Sequence, residues 1–150
     1  MTRGTTVALT IACIALALCV GGCGVGNYTL DRKSFTPEKL KMVEQKTGLT
    51  FPAGSQGLNM YYKGEPMDPF FIAKVEIPAG SQEETIGRIK QLKNQDIHES
   101  GSPAKEYDWW KLSKETTKAE CRFADNRGTY VHIALCNEDG HWIVYLEWFT

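Results

Sequence analysis

Three histidines, His98, His132 and His141, are the side chains of this 150-residue sequence that best suit metal binding or proton transfer. The strand patterns described below place His132 and His141 on the same face of a sheet, where two metal ligands can be presented together. They are several residue pairs apart, however, and no cysteine or acidic residue stands at ligand spacing. Surface histidines are therefore the preferred interpretation. The alternative is a small metal-dependent or hydrolytic enzyme that uses His132 and His141.

The stretch Ala53-Gly54-Ser55-Gln56-Gly57 has the spacing of a nucleophile elbow, with alanine in the first position. That motif needs a strand before the serine and a helix after it. Here Pro52 precedes the stretch and a strand pattern follows it, which is typical of a plain turn. The sequence therefore supplies no catalytic residue, and we expect no cofactor.

Aromatic residues are frequent, with four tryptophans, six tyrosines and six phenylalanines. Neighbouring residues of a strand point to opposite faces, so the pairs Trp109-Trp110 and Phe70-Phe71 cannot both enter one core. One member of each pair is then exposed, covered by a second layer or loop, or part of a contact surface. Tryptophan and tyrosine are favoured anchors in interfaces. The predicted binding surface consists of Trp109, Trp110, Tyr61 and Phe70.

The first 22 residues are typical of an export signal rather than of a folded domain. Arg3 is followed by an apolar run from Val7 to Val20 and then by Gly21-Gly22-Cys23. The run is shorter than the ~20 apolar residues that a transmembrane helix needs, and no charged stop-transfer segment follows it. A cleaved leader is therefore favoured over a membrane-spanning helix.

Val20-Gly21-Gly22-Cys23 resembles the lipobox of bacterial lipoproteins, and the resemblance covers residues 1–23 only. It implies cleavage before Cys23 and a diacylglyceryl group on the Cys23 thiol, which would attach the chain to a membrane. Gly24, in place of aspartate, resembles the pattern sent to the periplasmic face of the outer membrane in hosts with two membranes. Ordinary secretion, which would leave Cys23 as an unmodified thiol, is the alternative.

The composition of the mature chain limits its partners. Removing residues 1–22 from 150 leaves 128 residues with 17 − 1 = 16 basic and 18 acidic side chains, a formal charge of −2. A chain without a basic excess is poorly suited to bind phosphate backbones, so no nucleic acid is expected. The expected partners are the membrane, through the lipid on Cys23, and an envelope protein or the cell-wall polymer.

The mature chain also contains Cys121 and Cys136, and an exported protein matures in an oxidising compartment. We therefore expect a disulfide between them, which would stabilise the fold by about 3 kcal/mol. Their alignment depends on the hairpin turn that separates them. A turn centred on Gly128-Thr129, or a bulge, would place Cys121 opposite Cys136, whereas a two-residue loop at Asn126-Arg127 would not.

Periodicity and capping signals predict the elements that hold these residues. Residues 23–33 are predicted to be a flexible tether, and residues 34–150 a single domain. Helices are predicted at 37–47, after Thr36 as N-cap, and at 82–94, where Ser81 and Glu84 form a capping box. Strands are predicted at 57–63, 70–77, 118–124, 129–136 and 141–149, with a further short strand at 109–112.

The predicted order is α-β-β-α-(β)-β-β-β. It indicates an α+β fold in which an antiparallel sheet of about five strands carries two helices packed on one side. Placing Cys136 opposite His141 in the last hairpin collects one apolar face. This predicted core patch consists of Val131, Ile133, Leu135, Trp142, Val144, Leu146 and Trp148.

Overall fold

The computed structural model describes residues 26–97 and 102–150. Their sheet has six antiparallel strands in the order β1-β2-β3-β6-β5-β4. The elements are β1 (Tyr28–Asp31), α1 (Pro37–Thr47), β2 (Gln56–Lys63), β3 (Phe70–Ile77), α2 (Gln82–Gln91), β4 (Thr117–Ala124), β5 (Tyr130–Glu138) and β6 (His141–Phe149). A short 3-10 helix, Pro103–Glu106, lies between α2 and β4. The predicted α+β class, with an antiparallel sheet and two helices, is confirmed.

The main core lies between the helices and one face of the sheet, here called the helix-side face. Val43 of α1 and Ile89 of α2 are fully buried in the same cluster as the alternate residues of β3, β5 and β6. Six members of the predicted core patch are buried there, and Trp142 packs at the margin. The two helices therefore cover one face, as the apolar stripe of each helix requires.

The hairpin that joins β5 to β6 has a shorter turn than expected. Asp139 and Gly140 have φ values of 49° and 86°, which together make the two-residue type I′ turn. As a result Cys136 lies opposite Ile143 and not opposite His141. This shift of two residues leaves every side chain on its predicted face, because strand side chains alternate with a period of two.

The hairpin that joins β4 to β5 overturns the expected disulfide. Asp125 accepts hydrogen bonds from the backbone N–H groups of Arg127 and Thr129, and Gly128 has a φ of 87°. The Asp125 N–H also donates to the Thr129 carbonyl, so the five residues between the strands form a tight turn that places Cys121 opposite Ile133. Cys121 consequently packs in the helix-side core and Cys136 in the cluster on the other face. The sheet itself separates the two sulfur atoms, and both cysteines are free and buried.

The helix α2 starts where predicted but ends at Gln91 and not at residue 94. Beyond it the chain pairs with the edge strand β4. The Gln95 backbone N–H donates to the Arg122 carbonyl at 2.7 Å, and the Asn94 side chain accepts from the Arg122 N–H at 3.1 Å. These bonds to β4 replace the last helical turn. The predicted capping box is also wrong, since the Ser81 side chain makes no capping hydrogen bond.

Two other predictions about the strands need correction. Residues 28–31, assigned to the tether, form β1, which pairs with β2 from Tyr28 opposite Tyr62 to Asp31 opposite Asn59. Strand β1 therefore belongs to the sheet, although the predicted domain started only at residue 34. Residues 109–112 form no strand. The Trp110 N–H bonds to the Tyr107 carbonyl in a turn, which leaves no extended ladder.

Replacing Gly57 by alanine is expected to destabilise the protein by about 1–3 kcal/mol. A Cβ at this buried position of β2 would overlap the ring of Phe35, which is itself packed in the core. The matched control is Gly87→Ala in α2, where an added Cβ meets no atom within 4 Å. Gly87→Ala should stabilise the protein by about 0.5–1 kcal/mol, because alanine has the higher helix propensity. Urea denaturation of both variants measures the difference, and equal effects would contradict the packing at Gly57.

Both Cys121 and Cys136 are expected to be reduced thiols that react only after unfolding. Burial and the nearby Glu120 carboxylate raise the pKa of the Cys121 thiol to about 11, and burial raises the pKa of Cys136. At about pH 8, roughly one Cys121 in a thousand is then a thiolate. Ellman's reagent should detect both thiols in guanidinium and neither in the native protein. If the disulfide formed, the denatured protein would show neither thiol until a reductant was added, and this result would contradict the register.

Candidate functional site

The face of the sheet away from the helices, here called the outer face, is covered by residues 102–116. Ala104 in the 3-10 helix is fully buried. Trp110 packs edge-on against Tyr145 of β6 with ring centroids 4.8 Å apart, and the Lys111 N–H donates to the Tyr145 hydroxyl at 3.3 Å. Trp110 and Leu112 also border a small buried cluster around Cys136 and Ile143. The covering segment is therefore anchored on the centre of the sheet.

A continuous row of aromatic rings crosses the outer face and this segment. Tyr61 is the middle ring of the row. Its ring centroid lies 5.1 Å from that of Tyr107 and 5.6 Å from that of Phe70. In one direction the contacts continue through Trp109 to Trp110, and in the other through Phe149 to Tyr130. We call this set the aromatic row: Trp110, Trp109, Tyr107, Tyr61, Phe70, Phe149 and Tyr130. All seven side chains are partly buried.

All four residues of the predicted binding surface belong to the aromatic row. Trp109, Trp110, Tyr61 and Phe70 come from three separate segments, and the fold brings them into one chain of ring contacts. The sequence reasoning did not assign the other three members to this surface. A period-two reading of β6 and β5 could have found two of them, because Phe149 and Tyr130 are opposite each other in the register. No sequence pattern around Tyr107 indicated its place in the row, because the path of the covering segment determines which rings it contacts.

Tyr107 keeps its proton throughout the physiological range. Burial and the adjacent Tyr61 raise the pKa of its hydroxyl to about 12. The row therefore presents uncharged rings and hydroxyl groups. Such a surface offers apolar contact area together with hydrogen-bonding groups, the combination found where tyrosine and tryptophan anchor a partner.

A chain of polar contacts lies beside the row and holds His132. His132 and Glu147 face each other across β5 and β6, each only 2% exposed. The Nδ1 atom of His132 lies 2.9 Å from Glu147, and its Nε2 atom lies 2.8 Å from Glu120. The Ser102 hydroxyl donates to the other oxygen of Glu147. Both nitrogens of the His132 ring are thus occupied by carboxylates, and neither faces a nucleophile.

The Glu120 carboxylate is the solvent-exposed end of this series of polar contacts. Burial by itself raises its pKa, but the hydrogen bond with His132 and the positive charge of Arg122 outweigh burial and lower it. Arg122 lies 2.5 Å from Glu120 across a salt bridge. Glu120 therefore remains ionised and compensates charge, which is a structural task and not that of a general acid.

Tyr145 belongs to a second polar group on the outer face. Its hydroxyl donates to Glu138, whose other oxygen lies 2.6 Å from the Lys74 ammonium. Burial and the Glu138 carboxylate raise the pKa of Tyr145 far above its ordinary value. Lys74 is also buried, so its pairing with Glu138 compensates a charge that could not otherwise stay there.

The two histidines of the enzyme alternative lie far apart. His132 is opposite Glu147, and Glu147 lies six residue steps along β6 from His141. At about 3.4 Å per residue this is roughly 20 Å, far beyond what two Zn–N bonds of about 2 Å allow. Within residues 26–97 and 102–150, no group of three or more His, Cys, Asp or Glu side chains is arranged to hold a metal ion. His98 lies outside the described residues.

The other chemical candidates are also occupied by ordinary structural contacts. The Ser55 hydroxyl and N–H both bond to the Pro52 carbonyl, so the elbow-like stretch is a turn. At the end of the sheet near His141, an open cleft of about 480 Å³ is bordered by Arg32, Glu76 and His141. Arg32 and His141 both pair with Glu76, which leaves this cleft without an excess of either charge.

Comparisons with known proteins yield no relatives. No family model matches the chain, and neither the curated proteins nor the solved structures contain a significant match. In the part of the chain that the structure describes, no helix is long and apolar enough to cross a membrane.

Replacing His132 by alanine is expected to destabilise the protein by about 2–3 kcal/mol, because the buried Glu147 would lose a hydrogen-bonding partner. The control is His141→Ala. The His141 side chain is 66% exposed, so its removal should change stability by less than about 0.5 kcal/mol. Urea denaturation of the purified variants measures both values. Similar losses for the two variants would contradict a structural role that is specific to His132.

Proposed function

We propose that this protein is a lipid-anchored envelope lipoprotein that acts as a non-enzymatic binding or assembly module. The aromatic row is the contact surface, and its partner is an envelope protein or the cell-wall polymer. The observation that carries the proposal is the row itself: seven rings in sequential contact, all partly buried, along one side of the domain.

The anchor rests on the Val20-Gly21-Gly22-Cys23 motif at the end of an export signal. The attached chains would hold the domain at a membrane, since each buried CH₂ group contributes about 0.8 kcal/mol and two or three chains make attachment durable. In a host with two membranes, Gly24 favours the periplasmic face of the outer membrane. The mature protein would then act within the envelope, where the proposed partners are found.

Several properties of the row suit a partner-binding surface. Tyrosine and tryptophan lose little side-chain entropy on binding, and rings that already contact one another lose still less. Tyr61, Phe70 and Phe149 are carried by paired strands of the sheet, which gives the surface a rigid base. Trp109 and Tyr107 come from the segment above them. A partner can therefore contact rings from both layers at once.

The titratable groups of the outer face favour binding over catalysis. His132, Lys74 and Tyr145 are each held by a carboxylate. A general base needs a free site within reach of a substrate proton, and a nucleophile needs an adjacent base. Groups that compensate buried charge serve instead to keep the outer face ordered beneath the aromatic row.

The test compares Tyr61→Ala with Tyr62→Ala. These adjacent residues of β2 lie on opposite faces, because Tyr61 is in the aromatic row and Tyr62 packs with Tyr28 against the helix-side core. Co-sedimentation with purified cell-wall sacculi and affinity capture from solubilised envelope measure binding. We expect Tyr61→Ala and Trp109→Ala to reduce binding at least tenfold, the result of losing about 1.4 kcal/mol per anchor. Tyr62→Ala should bind like the wild type.

The experiment also includes intact mass spectrometry of the mature protein, which should show a diacylglyceryl group on Cys23. A bare Cys23 thiol would remove the anchor from the proposal. Equal binding by the variants at positions 61, 62 and 109 would remove the contact surface. Trp110 is not used as a probe, because it packs against the buried Tyr145 and its loss would disturb the covering segment.

A further inference from the structure

The proposed lipid on Cys23 sits close to one particular edge of the sheet. Strand β1 begins at Tyr28, and antiparallel pairing places the ends of β2 and β6 and the starts of β3 and β5 at the same edge. We call this set of strand ends the anchor edge; it is not one of the edge strands, β1 and β4. Strand β6 has nine residues, so at about 3.4 Å per residue the opposite edge lies roughly 27 Å further away.

The chain that leads from Cys23 is short and is tied to the loop at this edge. The Asn27 side chain accepts a hydrogen bond of 3.1 Å from the Gly64 backbone N–H. Gly64 opens the loop of residues 64–69 between β2 and β3. Asn27 follows Cys23 by only four residues, which span at most about 14 Å when fully extended. Adding the roughly 6 Å that the Asn27 side chain and its hydrogen bond span, the loop 64–69 begins within about 20 Å of the lipidated residue.

This loop presents Met67 to the surroundings. Met67 is 87% exposed and is the one large hydrophobic side chain among the described residues that lies mainly in solvent. The loop continues into Phe70, which contacts Phe149 at the end of β6. The last residue, Thr150, bonds back to the Pro69 carbonyl at 3.3 Å. The anchor edge thus presents one exposed apolar side chain, Met67, with partly buried rings behind it.

The charges around Met67 indicate apolar contact and not attraction to anionic headgroups. Lys63 pairs with Glu65 at 3.0 Å, and Asp68 follows Met67 directly. The loop therefore carries no positive excess. Lys39 lies over the Tyr28 ring at 4.2 Å, an arrangement of lysine and tyrosine that suits the boundary between headgroups and water.

We propose that the loop of residues 64–69 contacts the lipid surface to which Cys23 is attached, with Met67 inserted among the headgroups. The proposal rests on the proposed lipidation of Cys23, because a short tether makes the encounter between loop and bilayer intramolecular. Contact at this edge orients the domain. Phe70, Phe149 and Tyr130 then lie at the membrane end of the aromatic row, and the remaining rings extend away from the membrane along the outer face. The cleft beside His141 lies at the far edge.

The experiment places a nitroxide spin label on the cysteine of a Met67→Cys variant and, as the control, on that of an Ala79→Cys variant. Ala79 is exposed in the turn that follows β3, at the opposite edge of the sheet. The buried Cys121 and Cys136 should stay unlabelled in the native protein. The full-length mature lipoprotein, its lipid verified by mass, is reconstituted into phosphatidylcholine vesicles. Collision with lipid-soluble oxygen and with a water-soluble nickel chelate reports the position of each label.

We expect the label at residue 67 to lose collisions with the nickel chelate and gain collisions with oxygen, while the label at residue 79 stays in water. Adding phosphatidylglycerol to the vesicles should not strengthen the effect, since the loop lacks positive charge. If a lipidated protein shows both labels in water, or only residue 79 in lipid, the proposed contact is overturned although the anchor remains. If mass spectrometry finds no lipid on Cys23, the lipid anchor of the proposed function is contradicted, and the proposed contact of the loop with the membrane is contradicted with it.

Discussion

Strand β6 is hydrogen-bonded to β3 on one side and to β5 on the other, and this double pairing sets the neighbours of most side chains discussed above. Its odd residues from His141 to Phe149 face outwards, and its even residues face the helices. One register therefore places Leu146 in the main core and Glu147 opposite His132 at the same time. A shift by one residue would exchange the two faces and bury charge beneath the helices.

The two faces of the sheet are buried by different means. On the helix-side face, apolar side chains meet the stripes of α1 and α2, and no charge compensation is needed. The outer face contains the buried polar residues Lys74, His132 and Glu147, and the burial of each would be costly without a partner. Carboxylates and the covering segment of residues 102–116 provide those partners. The segment thereby also fixes the positions of Tyr107 and Trp109 in the aromatic row.

Much of the fold could be predicted from local signals. Pro37 and Gly48 bound α1 at the predicted residues, and the alternation in β2, β3 and β6 identified those strands to within one residue. Strand β1 was missed because four residues beside a glycine-rich stretch carry too little alternation to stand out. The end of α2 was missed because its last turn competes with hydrogen bonds from Asn94 and Gln95 to β4, which the helical pattern does not reveal.

The sequence by itself determined what depends on neighbours along the chain: the helix starts, most strand segments and the alternation of side chains within each strand. Tertiary structure decided what depends on register between distant segments. It separated Cys121 from Cys136 across the sheet, enclosed His132 between two carboxylates, and joined Trp109 to Tyr61 and Phe70 in one row. The physical reason is that the length of a hairpin loop sets the register of the two strands, and one residue more or less changes every pair. The composition of the loop alone does not specify which turn geometry has the lower energy.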